Sequence, residues 1–234
     1  MRISSKRLER SITSSIYRIA ARSGSSPGSG YFFLRSIRNN NNNNKYHTGM
    51  SSTQSSRTVA VAVLGVGLVG SEFVRQLQAL PPPHPFRLIS LSSSKATVFN
   101  ADGIPPSADW RALLRASTSS SGVSSSPPAG RLADLTRTLA GLVRTDNAVV
   151  LVDNTSSEDV AGAYPALLRA GVHVVTPNKK ALSGSQALYD QIVSGSLESG
   201  AKFLHESTVG AGLPVISTLK DLVATGDKVR AYHT

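Results

Sequence analysis

The chain has 234 residues, enough for one large domain or for a domain with extensions. It contains no cysteine, which excludes disulfides, thiolate metal sites and thiol nucleophiles, and no apolar run approaches the roughly 18 residues that a membrane span needs, so no membrane partner is expected. The formal charge of +11 suggests a nucleic acid until it is located: residues 1–49 hold nine of the 25 Lys and Arg but one of the 14 Asp and Glu, so the rest carries a net charge of +3 and calls for no nucleic-acid partner.

Residues 1–56 read as a disordered leader rich in Arg, Ser and Asn. Within it, "RLERSITSSIYRIAARS" has the Arg-rich, Ser-rich, acid-poor profile of a mitochondrial transit peptide, and the stretch then passes through a run of asparagines to Met50. Two origins stay open: a mitochondrial address in residues 1–49, or an upstream extension that is not translated when Met50 starts the protein. The cytoplasm is the expected compartment.

From residue 57 the pattern alternates. "TVAVAVLG" is a β-branched run that ends in glycine, and "LVGSEFVRQLQAL" follows with apolar residues at helical spacing until Pro81 to Pro83 stop it. "FRLISL" reads as a second strand. Two short helices, "ADWRALLRA" and "RLADLTRTLAGLV", flank a Ser/Gly/Pro-rich loop at residues 116–130. There follow strand "AVVLVD", helix "SEDVAGAYPALLRAG", strand "VHVVT", helix "SGSQALYDQIVS", strand "AKFLHE" and helix "LPVISTLKDLVATG". Alternation of nearly continuous apolar strands with helices predicts an α/β fold, a doubly wound parallel sheet covered on both faces, spanning residues 57–230.

The first strand-to-helix turn reads "GVGLVG". It places Gly65, Gly67 and Gly70 in the G-x-G-x-x-G arrangement, with Leu68 and Val69 opening the helix. Gly65 permits the tight turn, Gly67 lets backbone approach a pyrophosphate, and Gly70 permits close helix packing. The helix N-terminus supplies free N–H groups and a favourable dipole for the phosphates, so a Rossmann-like dinucleotide site is expected. An acid about 20 residues further on would bind the ribose 2′-hydroxyl, but the second strand ends "LISLSSSKA" with none. The serines and Lys95 suit a 2′-phosphate, which favours NADP over NAD. "HVVTPNKKAL" ends a strand in two adjacent lysines, a pattern that by itself describes a solvated surface.

The stretches "AVLGVGLVGSEF", "LVDNTSSEDVAGAYPALLRAGVHVVTPNKKAL" and "HESTVGAGLPVISTLKDLVATGD" together resemble the NAD(P)-binding half of homoserine dehydrogenase, most closely the monofunctional fungal type, over about residues 57–230. The resemblance implies oxidation of L-homoserine to L-aspartate 4-semialdehyde with NADP or NAD, on the route to threonine and methionine. It implies cofactor contacts at Thr155, Ser156 and Lys179, with Lys179 facing the nicotinamide and substrate pocket and Lys180 facing solvent. It further implies a monovalent cation, sodium, held by the Glu206 carboxylate and the backbone carbonyls of Val209, Ala211 and Leu213. The competing reading of "HESTVGAGLP" is that Glu206 caps neighbouring N–H groups while the glycines make a turn. His205 reads as a structural strand-end residue.

In the family a substrate-binding and dimerisation region follows, carrying the acidic residues that hold homoserine and the lysine used for proton transfer. Residues 231–234 have no counterpart of it, so a homodimer and the proton-transfer lysine belong to the family rather than to these residues. The expectation is a fragment that binds nucleotide and does not oxidise homoserine alone. Another NAD(P)-dependent amino-acid dehydrogenase and a non-catalytic nucleotide-binding module stay open beside it. An enzyme that forms a thioester with its aldehyde is excluded, because there is no cysteine to attack it.

Overall fold

The structure, a computed structural model, describes residues 58–119 and 131–228. The leader, most of the serine-rich loop and the end of the chain lie outside these residues.

Six strands form one sheet. In chain order the elements are β1 (Thr58–Leu64), α1 (Leu68–Gln78), β2 (Phe86–Ser92), β3 (Thr97–Phe99), α2 (Trp110–Ser119), α3 (Arg131–Gly141), β4 (Asn147–Asp153), α4 (Glu158–Gly162), α5 (Tyr164–Arg169), β5 (His173–Val175), α6 (Lys180–Ser183), α7 (Gln186–Ser199), β6 (Phe203–Leu204), a 3-10 turn (Glu206–Thr208) and α8 (Val215–Ala224). The spatial order is β3-β2-β1-β4-β5-β6. β1 lies parallel to both β2 and β4, β4 to β5, and β5 to β6. The order reverses at β1, so the crevice between β1 and β4 at their carboxyl ends is the switch point where a doubly wound sheet takes its ligand.

β1 shows why this sequence builds a two-faced sheet. Val59, Val61 and Val63 enter one buried cluster with Phe73, Val74 and Leu77 of α1. Ala60, Ala62 and Leu64 enter the other, with Leu139, Tyr164, Leu167, Leu168 and Ile192 from α3, α5 and α7. Successive side chains point to opposite faces, and a strand buried on both must be apolar throughout. The alanines stand on the face that receives Tyr164, and their small side chains leave room for it without overpacking.

Several elements differ from the sequence expectation. The sheet is not wholly parallel: β3 pairs antiparallel with β2 through Ser90–Phe99, Leu91–Val98 and Ser92–Thr97. "TVF" is too short to show a period, so its pairing is set by the hairpin turn at Ser93–Ala96 rather than by its own pattern. Residues 116–119, expected in the loop, continue α2. The single helix expected over "SEDVAGAYPALLRAG" is two. It breaks at Ala163, because Pro165 provides no N–H to continue the ladder and is tolerated only in the first turn of a new helix. "AKFLHE" contributes only Phe203 and Leu204 as strand, and α8 starts at Val215, one residue beyond Pro214.

Candidate functional site

The carboxyl ends of β1, β4, β5 and β6 stand side by side, paired Leu64 with Asp153, Val152 with Val175, and Val175 with Leu204. The glycine turn, the Asn154–Ser157 loop, the Pro177–Lys179 loop and the Glu206 turn therefore all leave from one edge of the sheet. Residues far apart in sequence meet there.

The three glycines serve three different ends. Gly65 has φ +81, and a Cβ on it would lie 2.9 Å from Thr155 Cγ2 and 3.0 Å from the Asn154 backbone, so the turn rests directly on the neighbouring loop. A Cβ on Gly70 would lie 2.0 Å from the Gly65 carbonyl oxygen, which is the close packing of α1 against its own entry turn. A Cβ on Gly67 would meet nothing within 4 Å. Gly67 is the N-cap of α1; no side chain caps the helix, no acid lies in the first turn, and Leu68 is 78% exposed. The start of α1 at Gly67 and Leu68 is thus open, as an anion site requires, while Gly70 behind it is buried.

Beside this turn lies Asn154. Its Oδ1 and Nδ2 are both enclosed and without a hydrogen-bond partner among the described residues. A buried amide with nothing to bond to is costly, so an orphan next to an uncapped helix N-terminus marks a place built for a polar occupant. These residues fit a dinucleotide: open amides for the pyrophosphate, Gly67 clear of side chain, and unsatisfied polar groups on the β4 side.

The β2 side holds the other end. Ser92 is buried and its hydroxyl accepts from Thr97 Oγ1 at 2.9 Å, and Ser93 Oγ accepts from the N–H groups of Lys95 and Ala96 at 3.2 and 3.0 Å. Two of the three serines are therefore committed to the hairpin turn. Ser94 and Lys95 are exposed at its tip.

Thr155 is half-buried, and its hydroxyl accepts from Ser157 N at 3.2 Å; Ser157 in turn caps α4 by accepting from Val160 N. Ser156 between them is exposed. Lys179 precedes α6 and is exposed, and it has no carboxylate partner among the described residues. Lys180 is equally exposed, but its Nζ lies 4.0 Å from Glu158 Oε2, at the limit of an ion pair. The two lysines thus differ in charge environment rather than in exposure.

Glu206 lies at the start of the 3-10 turn. Its Oε1 accepts from Ile216 N at 2.7 Å, and its Oε2 accepts from Ser217 N at 3.0 Å. The carboxylate therefore caps α8, favourable because an anion there meets free N–H groups and the positive end of the helix dipole. Between cap and helix, Gly210 and Ala211 have φ of +66 and +54. Alanine seldom adopts this conformation. Leu213 O accepts from Val215 N at 2.9 Å. An all-oxygen set of Glu206 with the Val209, Ala211 and Leu213 carbonyls suits a hard cation, and a carboxylate has acceptor sites beyond those used on α8. Burial above all, with the Lys220 ammonium, pushes the neighbouring His205 down to about 4; its ring stacks on Phe203 with centroids 4.7 Å apart. It is a packed, neutral strand-end group, as its place in the sequence suggested.

A group absent from the sequence reading ties these loops together: Asp153, Tyr164, Thr176 and Asn178. All four are buried, and they are joined by hydrogen bonds between Asp153 and each of the other three. Only the apolar run preceding Asp153 could have drawn attention to it, since an acid ending a strand buried on both faces needs a partner.

Comparison with known proteins agrees with this geometry. Residues 65–206 match the family model for the NAD-binding domain of homoserine dehydrogenase. The chain is 42% identical over 178 residues to homoserine dehydrogenase of Paracoccidioides brasiliensis and 37% identical over 177 residues to that of Saccharomyces cerevisiae, in each case over 75% of this chain and 46% of the relative. It thus spans about half the length of the curated relatives it matches. Among solved structures, a Candida auris protein of unknown function aligns with TM-score 0.60 and 36% identity over 74% of this chain and 46% of its own. An archaeal homoserine dehydrogenase aligns with TM-score 0.54 at 23% identity over 71% of this chain and 50% of its own, a likeness of fold. With the glycine turn, the strand order and the family model in agreement, the chain belongs to the homoserine dehydrogenase family, whose NAD-binding domain it carries.

Proposed function

We propose that this chain holds NADP or NAD across the β1–β4 crevice and serves the interconversion of L-homoserine and L-aspartate 4-semialdehyde. The observation that carries the reading is the uncapped N-terminus of α1 at Gly67, open to solvent and flanked by the orphaned Asn154 amide. The N–H groups of Leu68, Val69 and Gly70 would bind the pyrophosphate, and Gly65 and Gly67 would let it approach. The ribose recognised at the end of β2 lies toward Ser94 and Lys95, and the exposed ammonium there favours NADP. The nicotinamide half then extends across the switch point toward Thr155, Ser156 and Lys179. When bound, the nicotinamide supplies hydride exchange. Lys179, with no carboxylate to neutralise it, would attract the substrate carboxylate or polarise the reacting oxygen.

The domain is proposed to span residues 57–230. Sodium is proposed at Glu206 with the Val209, Ala211 and Leu213 carbonyls, supported by the left-handed turn at Gly210 and Ala211. A homodimer is proposed through the family; Leu213, Leu222 and Val223 around α8 are exposed apolar side chains that would suit a contact. No helix among the described residues is long and apolar enough to cross a membrane. The cytoplasm is the proposed compartment, and import into mitochondria of a reporter carrying residues 1–56 would overturn it.

Calorimetric titration of the folded chain with NADP and NAD tests the central reading. Binding of at least one in the micromolar to millimolar range is the expected result, and no heat with either would refute the site. Formation of reduced nicotinamide on adding L-homoserine assays the assigned reaction; as the chain spans about half the length of its curated relatives, none is expected from it alone, and turnover abolished by Lys179→Ala would refute that expectation.

A further inference from the structure

Asp153 ends β4 with no solvent exposure and, among the described residues, no cationic partner. A carboxylate in that position is costly unless hydrogen bonds replace its water. Its three donors come from three places. Oδ1 accepts from Thr155 N at 2.7 Å, and Oδ2 accepts from Asn178 Nδ2 at 3.1 Å and from the Tyr164 hydroxyl. Thr176 Oγ1 donates to the Asp153 carbonyl at 2.9 Å and accepts from Asn178 N at 2.8 Å. Asn178 continues the chain of bonds, since its Nδ2 also donates to Ser157 O at 2.9 Å and its Oδ1 accepts from Lys180 N at 3.1 Å.

Two of these donors belong to the loops of the site. Thr155 N begins the Thr155–Ser156 loop, and Asn178 immediately precedes Lys179. The loops lie 25 positions apart in sequence at this bond, and beside it the Asn178 Nδ2–Ser157 O bond joins them directly. Loops at the end of a sheet are ordinarily the mobile part of a site, and holding them in the bound arrangement beforehand lowers the cost of binding. We propose that Asp153 is the positioning residue of this site: its buried carboxylate locks the Thr155–Ser156 loop to the Asn178–Lys179 loop and so shapes the nicotinamide end. The proposal rests on the nucleotide reading above.

Asp153→Asn separates this role from packing. The side chain keeps its volume and can still accept from Thr155 N, and the Tyr164 hydroxyl can turn to accept from the new amide. Facing Asn178 Nδ2, however, the new NH2 sets donor against donor, so the link through residue 153 breaks while the Asn178 Nδ2–Ser157 O bond does not depend on it. Tyr164→Phe is the control, because it removes a donor to the same carboxylate from behind and leaves both loop bonds in place.

The test compares affinities of the full chain for NADPH and for 2′-phospho-ADP-ribose, which lacks the nicotinamide ring, with NADH against ADP-ribose as the second pair. Asp153→Asn should weaken the whole dinucleotide about tenfold while leaving the fragment unchanged. Tyr164→Phe should lower the melting temperature and leave the ratio of the two affinities as in the unsubstituted chain. Should Asp153→Asn fail to fold, Asn178→Ala removes the same link from its other end together with the bonds to Ser157 O and Lys180 N, and a fall in the ratio at least as large is expected. A ratio unchanged in the folded loop variant, or moved equally by Tyr164→Phe, shows a purely structural carboxylate and overturns the proposal. Equal affinity of the unsubstituted chain for dinucleotide and fragment overturns it too. Failure of the unsubstituted chain to bind either pair refutes the nucleotide reading itself.

Discussion

At the scale of single residues, two glycines three positions apart should respond to substitution in opposite ways. Gly67 has an ordinary backbone conformation and open space where a Cβ would lie. Gly67→Asp should therefore fold with a melting temperature close to that of the unsubstituted chain yet lose nucleotide affinity by about a hundredfold or more. Its carboxylate occupies and repels the phosphate position, and a contact of that kind is worth a few kcal/mol. Gly70→Ala should do the reverse: its methyl would lie 2.0 Å from the Gly65 carbonyl oxygen, so it should destabilise the fold by about 1–3 kcal/mol, measured by urea denaturation. The spacing of these glycines was legible because a turn is a property of local backbone. Asn154 and Asp153 were not, because what distinguishes them is what surrounds them: one amide without partners, and one carboxylate served by Thr155, Tyr164 and Asn178.

At the scale of elements, the segment from β6 to α8 couples a titrating ring to a charged cap. His205 is lowered to about 4 from its ordinary 6.5, chiefly by burial, and His173 is also lowered to about 4, by burial and then by Lys202. Between pH 6.5 and 4 the unfolded chain binds more protons at these rings than the folded one. Their contribution to stability is thus fully present above about pH 6.5 and falls as the pH drops toward 4. His205→Phe keeps the stacking on Phe203 and removes one titrating ring. Its melting temperature should fall less steeply across that window than that of the unsubstituted chain, and parallel curves would contradict the assignment. Glu206→Ala should cost about 0.5–2 kcal/mol by uncapping α8, whether or not a cation is present. A further loss of stability seen only in sodium, and not when a large organic cation replaces it, would separate the ion from the cap. The sequence left both uses of Glu206 open; the structure shows the cap, which involves Ile216 and Ser217 ten and eleven positions ahead.

At the scale of the whole molecule, the ligand site belongs to the sheet rather than to any one element. Since five parallel strands present their carboxyl ends at one edge, a bound dinucleotide would touch loops from both sides of the β1–β4 crevice. Saturation should stabilise the folded state as a unit. At a hundred times the dissociation constant the gain is about 2.7 kcal/mol, read as a rise in melting temperature in one cooperative transition. Gly67→Asp should show no such rise at the same concentration. A shift that persists in that variant would place the nucleotide elsewhere on the molecule.

Five of the six described strands, the longer helices, the parallel character of the main strands and the glycine turn were determined by the sequence itself, through periodicity, continuous apolar runs and the backbone freedom of Gly65 and Gly70. Such signals are local, and "TVAVAVL" contains its own evidence for a strand buried on both faces. The shared motifs added Thr155, Ser156 and Lys179. Only the tertiary structure decided the antiparallel edge at β3, the break at Ala163, the pairing of Lys180 with Glu158, and the carboxylate that binds Thr155 to Asn178. Each depends on groups brought together by chain folding, and a buried charge is stable only where the fold delivers donors to it, which no window of sequence can show.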